Sequence, residues 1–216
     1  MDYVFPKQKV WEMRLNRAAK ALNQHGFLAE TVPDRAAARQ RVLELVGPDE
    51  TVGVGGSVSI REAGIIEALQ ARGTMVNHHW LAPFGTAERL ALRRKTLTSD
   101  WYLASANALS ETGEVVNIDG VGDRIAAMIF AVPKVILVVG RNKLAPTLAD
   151  SQRRAREVAA VINSHRVGMG GTPCIKAGRC LDCNVEERGC RITVLIERAP
   201  LDTEFHVLLV NEDLGY

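Results

Sequence analysis

Apolar side chains recur at a helical interval in the first part of the chain. Their spacing of three or four residues places them on one face of an α-helix, with polar residues between them. The positions that share this face are Trp11, Leu15, Ala18 and Leu22. The spacing predicts an amphipathic helix over residues 8–24, and Gly26 just beyond it is typical of a helix end. We expect this helix to pack its apolar face on the core.

Farther along, short apolar runs alternate with helical patterns, as in βαβ units. The run Val135–Val139 is apolar at every position, which is typical of a central parallel strand covered on both faces. These patterns predict an α/β fold with a mostly parallel sheet flanked by helices. The predicted strands are residues 27–32, 51–54, 75–80, 101–106, 115–119, 135–139, 191–198 and 206–210. The predicted helices after the first are residues 35–46, 58–71, 86–97, 124–130 and 147–163.

The composition is that of an ordinary globular protein, and it argues against some classes of partner. The chain has 216 residues, enough for one large α/β domain. With 27 basic and 25 acidic residues the formal net charge is +2, which gives no reason to expect binding to nucleic acid. The most apolar region, residues 126–139, is interrupted by Pro133 and Lys134 and is too short for a membrane span. We find no secretory pattern and expect a cytoplasmic protein without membrane insertion.

Polar side chains gather where the predicted strands end. Asn107 follows one strand, Asn117 and Asp119 lie in the last part of another, and Asn142 and Lys143 follow a third. Open α/β sheets bind ligands beyond the carboxyl ends of their strands, so this distribution predicts a binding site there. Asn and Asp also commonly cap turns. That structural role is the alternative for each of Asn107, Asn117 and Asp119.

A glycine-rich turn follows the predicted strand at residues 51–54. Gly55 and Gly56 allow a ligand to approach the backbone closely, and Ser57 is placed to cap the following helix. Unpaired N–H groups at a helix start suit anions, and Arg61 would suit a buried anion. A tight turn without a ligand needs the same glycines, and a surface ion pair is the alternative for Arg61. The spacing matches neither a P-loop nor GxGxxG, so we find no nucleotide fingerprint.

Two further groups of polar residues receive mainly structural interpretations. His78 and His79 are adjacent on a predicted strand, so their side chains face opposite ways and cannot serve one site together. The predicted helix at residues 86–97 carries several basic side chains, which we interpret as a solvated face. These side chains are Arg89, Arg93, Arg94 and Lys95.

The four cysteines of the chain lie within 17 residues of one another, with the spacing C-x5-C-x2-C-x6-C. In a reducing compartment such a cluster predicts a metal site rather than disulfides, with the central pair gripping the ion and the outer pair completing four ligands. The spacing fits neither a zinc ribbon nor a ferredoxin, so zinc and an iron–sulfur cluster are both candidates. Free thiols, or disulfides formed in air, are the alternative. The predicted ligands are Cys174, Cys180, Cys183 and Cys190.

Three stretches of the sequence resemble the LUD-domain family, which includes lactate-utilisation proteins. They are GVGGSVSIREAG at residues 53–64, TSDWYLASANALSETGEVVNIDGVGDRIAAM at residues 98–128 and VILVVGRNK at residues 135–143. The resemblance covers most of the chain, and ETGEVVNIDGVG is its most specific part. That family is similar in fold to the sugar-phosphate isomerases and CoA transferases. In those enzymes a glycine turn and the ends of later strands surround a phosphate or a CoA thioester.

The resemblance implies a pocket and names its residues. Gly55, Gly56 and Ser57 would line it. Its rim would be formed by Asn107, Glu111, Asn117, Asp119, Asn142 and Lys143. We treat residues 1–216 as a single domain of this type. Its parts are an N-terminal helical segment (1–47), a core (48–166), and a cysteine-rich loop with two closing strands (167–216).

Two functions agree with these features. In the first, the chain is a component of a lactate or related 2-hydroxy acid oxidation system, works with iron–sulfur redox subunits and carries a metal or cluster on its cysteines. No flavin site is recognisable, so we do not expect it to oxidise lactate alone.

In the second, it is a stand-alone transferase or isomerase for a phosphorylated or CoA-linked small molecule. Glu111 would be the nucleophile or base, with Asp119 as the alternative. Both functions predict a small anionic ligand, and both are compatible with a homo-oligomer. A purely structural partner subunit is a third interpretation.

Overall fold

Two β-sheets organise the fold, and helices cover both faces of the larger one. The computed structural model describes residues 4–216. Its strands are β1 (Leu28–Val32), β2 (Val52–Val54), β3 (Val76–His78), β4 (Trp101–Ala104), β5 (Ala108–Ser110), β6 (Val115–Asp119), β7 (Lys134–Gly140), β8 (Leu144–Ala145), β9 (Ile192–Ile196) and β10 (Glu204–Val210). Its helices are α1 (Val4–Gln24), α2 (Arg35–Leu45), α3 (Val58–Glu62), α4 (Ile65–Ala71), α5 (Ala87–Thr96), α6 (Asp123–Ala126), α7 (Leu148–Arg154), α8 (Ala160–Val167) and α9 (Pro173–Ala177).

The larger sheet is parallel throughout. Among the described residues its strand order is β1-β10-β7-β4-β2-β3, and every neighbouring pair runs in the same direction. This confirms the predicted α/β class with a mostly parallel sheet flanked by helices. Because the strands are parallel, their carboxyl ends all meet at one edge, and the loops that follow them lie side by side there.

The central strand β7 shows why an uninterrupted apolar run was needed. Val135, Leu137 and Val139 point into the core beneath α1, whereas Ile136 and Val138 point into the core beneath α2, α3 and α4. Each of these side chains is 1% exposed or less, so both faces of the strand are buried. A strand with polar residues on alternate positions would place them in one of these cores at a cost of several kcal/mol.

The first predicted helix is confirmed by α1, whose apolar face packs as expected. Leu15, Ala18 and Leu22 are buried against the larger sheet, and the helix ends at Gln24 before Gly26, which has a φ of 84°. Local capping also follows the sequence at α2, where the Asp34 side chain accepts a hydrogen bond from the Ala37 N–H. Within residues 4–216, no helix combines the length and the apolar character that crossing a bilayer requires.

The helix predicted over residues 58–71 is interrupted. Gly64 has a φ of 63° and separates α3 from α4, so the chain changes direction between them. The left-handed backbone at this position favours glycine, which lacks a Cβ. The prediction of a single helix was therefore wrong, because the periodicity of Ile60, Ile65 and Leu69 does not report the local turn.

A smaller sheet was not predicted from the sequence. In the described part of the chain its order is β8-β5-β6-β9, with β5–β6 and β6–β9 antiparallel and β5–β8 parallel. The hairpin between β5 and β6 turns at Gly113, which has a φ of 100° and lies so close to α1 that an added Cβ would be 2.9 Å from the Ala21 carbonyl carbon. This sheet carries Asn117 and Asp119 towards the carboxyl edge of the larger one.

Candidate functional site

A cavity of about 650 Å³ opens at the carboxyl edge of the larger sheet. The loops after β2, β4 and β7 reach it, and so does the last residue of β6. Helices α5 and α8 and the segment 186–191 form its other walls. Its polar lining includes Ser57, His79, Arg89, Arg93, Ser105, Asn107, Asp119, Asp123, Arg124, Lys143, Asn163, Ser164, Arg166, Glu186, Glu187, Arg188, Arg191 and Tyr216. Basic side chains outnumber acidic ones in this set, so the cavity suits an anionic ligand.

Lys143 lies in a 3₁₀ turn directly after β7 and is buried at 3% exposure. Its Nζ donates hydrogen bonds to the Ser59 Oγ at 2.9 Å and to the Ser105 Oγ at 3.0 Å. Burial, reinforced by the nearby cations Arg154 and Arg124, lowers the pKa of Lys143 to about 7. An ordinary lysine is fully protonated at neutral pH, whereas a large fraction of Lys143 is a neutral amine under the same conditions.

Arg124, from α6, joins the two sheets beneath the cavity. Its Nη1 donates to the Asn117 Oδ1 at 2.5 Å and to the Ser105 carbonyl oxygen at 3.3 Å. Its Nη2 donates to the Ile118 carbonyl oxygen at 2.6 Å and to the Asn107 Oδ1 at 3.1 Å. Arg124 is not among the site residues predicted from the sequence. Its position one helical turn after the Asp119-Gly120 turn is a signal that could have indicated it.

The structure separates the roles of the two asparagines. Asn107 lines the cavity, and its Oδ1 accepts a second hydrogen bond from the Ile118 N–H at 2.8 Å. Asn117 is fully buried behind the lining, and its Oδ1 accepts from the Asn107 N–H at 3.2 Å. Both amides therefore hold the strand ends and Arg124 in place. For Asn117 this geometry supports the structural alternative rather than contact with a ligand.

Asp119 is the predicted carboxylate that reaches the cavity. Its Oδ1 accepts hydrogen bonds from the N–H groups of Val121 and Gly122 at 3.0 and 3.1 Å. Its Oδ2 lies 3.5 Å from the Arg124 Nε and has no hydrogen-bond partner within residues 4–216. The neighbouring Asp123 is a second, partly buried carboxyl that lies 3.5 Å from the Arg93 Nε, and desolvation raises its pKa. Beyond its ion pair with Arg124, the Asp119 Oδ2 therefore keeps the capacity to accept a hydrogen bond at the wall.

Arginines of α5 correct the interpretation of a solvated basic face. Arg94 and Lys95 are exposed as expected, but Arg89 and Arg93 turn into the cavity. The Nε atoms of Arg89 and Arg93 are buried and have no hydrogen-bond partner within the described residues. The Arg93 Nε also lies 3.5 Å from the Asp123 Oδ2, a contact too long for a good hydrogen bond. Unpaired buried donors are costly, so the Arg89 Nε in particular is ready to receive an anion.

His79 lies in the cavity wall, whereas His78 does not line it, in agreement with the prediction that the two cannot serve one site. Burial, with the cations Arg89 and Arg93 adding to it, lowers the pKa of His79 to about 4. The imidazole is therefore neutral at physiological pH. It adds a polar but uncharged group to an otherwise basic wall.

The glycine turn contributes its second and third residues to the lining. Gly56 and Ser57 line the cavity, and the Ser57 Oγ accepts from the Ile60 N–H at 3.4 Å as the cap of α3. Gly55 lies behind them, where an added Cβ would be 2.5 Å from the hydroxyl oxygen of the fully buried Tyr102. Packing therefore requires glycine at position 55. Gly55 does not itself line the cavity, contrary to the prediction.

We expect Gly55→Ala to lower the free energy of unfolding by about 1–3 kcal/mol, since the added Cβ would overlap the hydroxyl of the fully buried Tyr102 and press on the Arg124 side chain. Gly56→Ala is the matched control, because its added Cβ would lie 3.6 Å or more from the nearest atoms, those of His79. Urea denaturation of both variants measures the difference. Equal stability of the two variants would contradict this account of the turn.

Besides Gly55 and Asn117, three predicted site residues lie outside the lining of the cavity: Arg61, Glu111 and Asn142. Glu111 is buried and accepts from the Arg14 Nε at 2.7 Å and the Arg17 Nη1 at 2.6 Å, so it joins the β5–β6 hairpin to α1. This position does not support a nucleophile or base for a ligand in the cavity. Arg61 stacks over Trp80, with 5.0 Å between the guanidinium carbon and the ring centroid.

The third of these residues, Asn142, anchors the end of the chain. Its Oδ1 accepts from the Leu214 N–H and its Nδ2 donates to the Gly215 carbonyl oxygen, both at 3.0 Å. The anchored segment passes over Lys143, because an added Cβ on Gly215 would lie 3.3 Å from the Lys143 Nζ. Tyr216 then lines the cavity and contacts Arg166. The position of Tyr216 in the cavity wall was not predicted, because it depends on contacts between segments far apart in sequence.

The predicted metal ligands are free and half-buried. The carbonyl oxygens of Cys183 and Cys190 both accept from the Arg188 guanidinium, at 2.6 and 2.9 Å. However, among residues 4–216 no group of three or more His, Cys, Asp or Glu side chains is placed to hold a metal ion. Binding of zinc or an iron–sulfur cluster by the four free cysteines stays a prediction. The loop instead contributes Arg188, Cys190 and Arg191 to the cavity wall.

Comparison with known proteins agrees with the fold and with the resemblance. The sequence model of the LUD domain matches residues 15–210. No curated protein matches the chain. The structure is similar to the crystal structure at 1.70 Å resolution of a DUF162 family protein from Deinococcus radiodurans. That similarity has a TM-score of 0.53 at 12% sequence identity and covers 93% of this chain and 97% of the other, so it shows a shared fold. The chain therefore belongs to the LUD domain family, which is associated in general with lactate utilisation.

Proposed function

We propose that this chain binds a small anionic metabolite in its cavity, as a component of lactate or related 2-hydroxy acid utilisation. The observation that carries the proposal is the convergence of Lys143, Arg89 and Arg93 on one cavity at the carboxyl edge of the sheet. None of these three gives its full set of donors to the protein. A carboxylate in the cavity would pair with them and relieve the cost of leaving buried donors unpaired.

The wall also offers a group suited to a hydroxyl. The Asp119 Oδ2 has no hydrogen-bond partner within residues 4–216. In the proposed complex it accepts a hydrogen bond from the hydroxyl group of the substrate. A 2-hydroxy acid carries a carboxylate and a hydroxyl on neighbouring carbons. The cavity contains cationic donors for the carboxylate and the Asp119 carboxylate as an acceptor for the hydroxyl. The donors alone, or Asp119 alone, would not distinguish a 2-hydroxy acid from other ligands.

Electron transfer in this proposal belongs to partner subunits. The chain carries no nucleotide or flavin fingerprint, so binding and orientation of the acid are its own contribution. The iron–sulfur partners expected from the resemblance would accept the electrons. The described cysteines do not form a cluster of three ligands, so the proposal assigns no step to a metal on this chain.

A second candidate function is transfer or isomerisation of a phosphorylated or CoA-linked molecule. The size of the cavity favours it, because about 650 Å³ exceeds what a three-carbon acid needs. Arg188 and Arg191 add to the positive lining of the cavity, which suits a phosphate. Asp119 is then the candidate base, since Glu111 lies outside the cavity.

The proposal is tested by calorimetric titration of the protein with L-lactate, pyruvate, inorganic phosphate, ribose 5-phosphate and acetyl-CoA. We expect Arg89→Met to weaken binding of the preferred anion on the order of tenfold, because it removes an unpaired donor from the wall. Arg94→Met is the matched control, since Arg94 lies on the same helix but is exposed, and it should bind within about twofold of the unaltered protein.

Each outcome bears on one of the two functions. Binding of the hydroxy or oxo acid that is lost in Arg89→Met but kept in Arg94→Met supports the first. Binding of the phosphate ester or thioester alone supports the second. If no anion binds the unaltered protein, or if Arg89→Met binds as well as Arg94→Met, the cavity is not the binding site and the proposal is wrong.

A further inference from the structure

We propose that the Lys143 Nζ is a nucleophile that forms an imine with the carbonyl group of a 2-oxo acid bound in the cavity. This inference rests on the proposed function, because it requires an anionic ligand there. It goes further, because it assigns covalent chemistry to one atom and names the class of ligand that undergoes it. A 2-oxo acid is what remains when a 2-hydroxy acid loses two electrons and two protons.

The surroundings of Lys143 differ from those of an ion-paired lysine. Its Nζ is held by the hydroxyl groups of Ser59 and Ser105, on α3 and at the end of β4, and neither partner is a carboxylate. Lys134, the first residue of β7, shows the usual arrangement, with its Nζ 2.5 Å from the Glu50 Oε1. Hydroxyl partners accept from an ammonium or donate to a neutral amine. They therefore keep Lys143 oriented in both protonation states.

Charged groups around Lys143 favour the neutral amine. Arg124 on α6 and Arg154 on α7 face it, whereas Glu62 on α3 is the carboxylate that favours the charged form. Arg154 is itself fixed, because its guanidinium donates to the carbonyl oxygens of Asn142 and Asn107. Burial and the two arginines prevail, and they lower the pKa of Lys143 to about 7. A neutral amine is the form that attacks a carbonyl carbon.

The cavity that Lys143 lines also holds cationic groups that would bind an anion. Arg89 and Arg93 line it too; the Arg89 Nε has no hydrogen-bond partner in the described part of the chain, and the Arg93 Nε lies 3.5 Å from the Asp123 Oδ2. A carboxylate paired with them holds an adjacent carbonyl carbon inside the cavity. Lactate itself has no carbonyl group beside its carboxylate. The amine therefore distinguishes the oxidised acid from the reduced one by chemistry rather than by shape.

The reaction is balanced without a further reagent. The Nζ lone pair forms a bond to the carbonyl carbon, and the carbonyl oxygen takes a proton to give a carbinolamine. A second proton transfer lets that oxygen leave as water, and a carbon–nitrogen double bond forms. Two hydrogens from the amine and one oxygen from the acid make the water molecule, and no atom is oxidised or reduced.

Reductive trapping tests the inference with the full chain. Pyruvate is the probe, sodium cyanoborohydride reduces the imine to a stable secondary amine, and peptide mass mapping locates the modified lysine. We expect Lys143 to be modified at least tenfold more than Lys134. Trapping should rise with pH through about 7, because the neutral amine becomes populated there. An excess of L-lactate should reduce the modification, since it occupies the same cavity without forming an imine.

Lys143→Met removes the attacking amine and carries no charge into the buried site. The variant should bind pyruvate more weakly in the calorimeter, through Arg89 and Arg93, and should show no modification at residue 143. Calorimetric binding of pyruvate by the unaltered protein with no adduct at Lys143, or with adducts spread evenly over the exposed lysines, overturns the imine and leaves the proposed function intact. Absence of any pyruvate binding overturns the imine and the lactate-related function together.

Discussion

Replacing Lys143 by methionine is expected to raise the free energy of unfolding at pH 6 by several kcal/mol. Methionine keeps the length of the side chain but carries no charge into a site that is only 3% exposed. The pKa of Lys143 is lowered from the ordinary value of 10.5 to about 7. That gap corresponds to a free energy of the order of 5 kcal/mol, which the folded protein loses by keeping this lysine buried.

The sign of the pH dependence follows from the proton count. Between pH 7 and 10.5 the unfolded chain holds a proton on Lys143 that the folded protein has released. The unaltered protein therefore gains stability as pH rises through that window, whereas the methionine variant lacks this contribution. The advantage of Lys143→Met should be full below about pH 7, and it should shrink steadily towards pH 10.5.

Urea denaturation of both proteins at pH 6, 8 and 10 measures the effect. Lys134→Met provides the control, because Lys134 is ion-paired at the surface with Glu50 and its pKa is raised rather than lowered. A pH-independent difference between Lys143→Met and the unaltered protein would show that the lysine is not neutral in the folded state. If Lys143 forms the proposed imine, Lys143→Met should also lose the pyruvate adduct.

Replacing Arg124 by methionine is expected to lower the free energy of unfolding by about 3–5 kcal/mol. The guanidinium donates to the side-chain oxygens of Asn107 and Asn117 and to the carbonyl oxygens of Ser105 and Ile118. Methionine leaves these acceptors buried without their donor. It also removes the connection between the end of β4 and the end of β6, so the floor of the cavity loses its shape.

Arg124→Lys is the informative companion variant. An ammonium preserves the charge but cannot reach four acceptors with the geometry of a planar guanidinium, so we expect a loss of about 2 kcal/mol. Arg94→Met, at an exposed position, should remain within about 0.5 kcal/mol of the unaltered protein. Chemical denaturation monitored by tryptophan fluorescence distinguishes these cases. Equal stability of Arg124→Met and Arg94→Met would show that the hydrogen-bond network does not hold the two sheets together.

Some features of the site followed from the chain alone. The polar residues at strand ends, Ser57, Asn107, Asp119 and Lys143, do line one cavity. They converge because the carboxyl ends of parallel strands share an edge, a rule that needs no coordinates. The predicted strands and the polar residues at their ends are therefore enough to predict at which edge of the sheet the cavity lies, without the strand order.

Other features could not be predicted from local patterns. Arg89 and Arg93 share the composition of an exposed helix face, yet they turn inward because β3 and the cavity lie beside α5. Glu111 matched a motif of the family, yet it pairs with Arg14 and Arg17. Arg14 and Arg17 are more than 90 residues away from Glu111 in the sequence. No local pattern therefore predicts that these residues pair.

The sequence by itself determined the class of fold. The period of its apolar residues decides which segments bury one face and which bury two, and that burial produces helices over a parallel sheet. Only the tertiary structure decided which charged groups enter the cavity and in what state. Lys143 becomes a partly neutral amine because the folded chain buries it and places Arg154 and Arg124 near it. Desolvation and Coulomb energy depend on neighbours in space, and those neighbours exist only once the chain has folded.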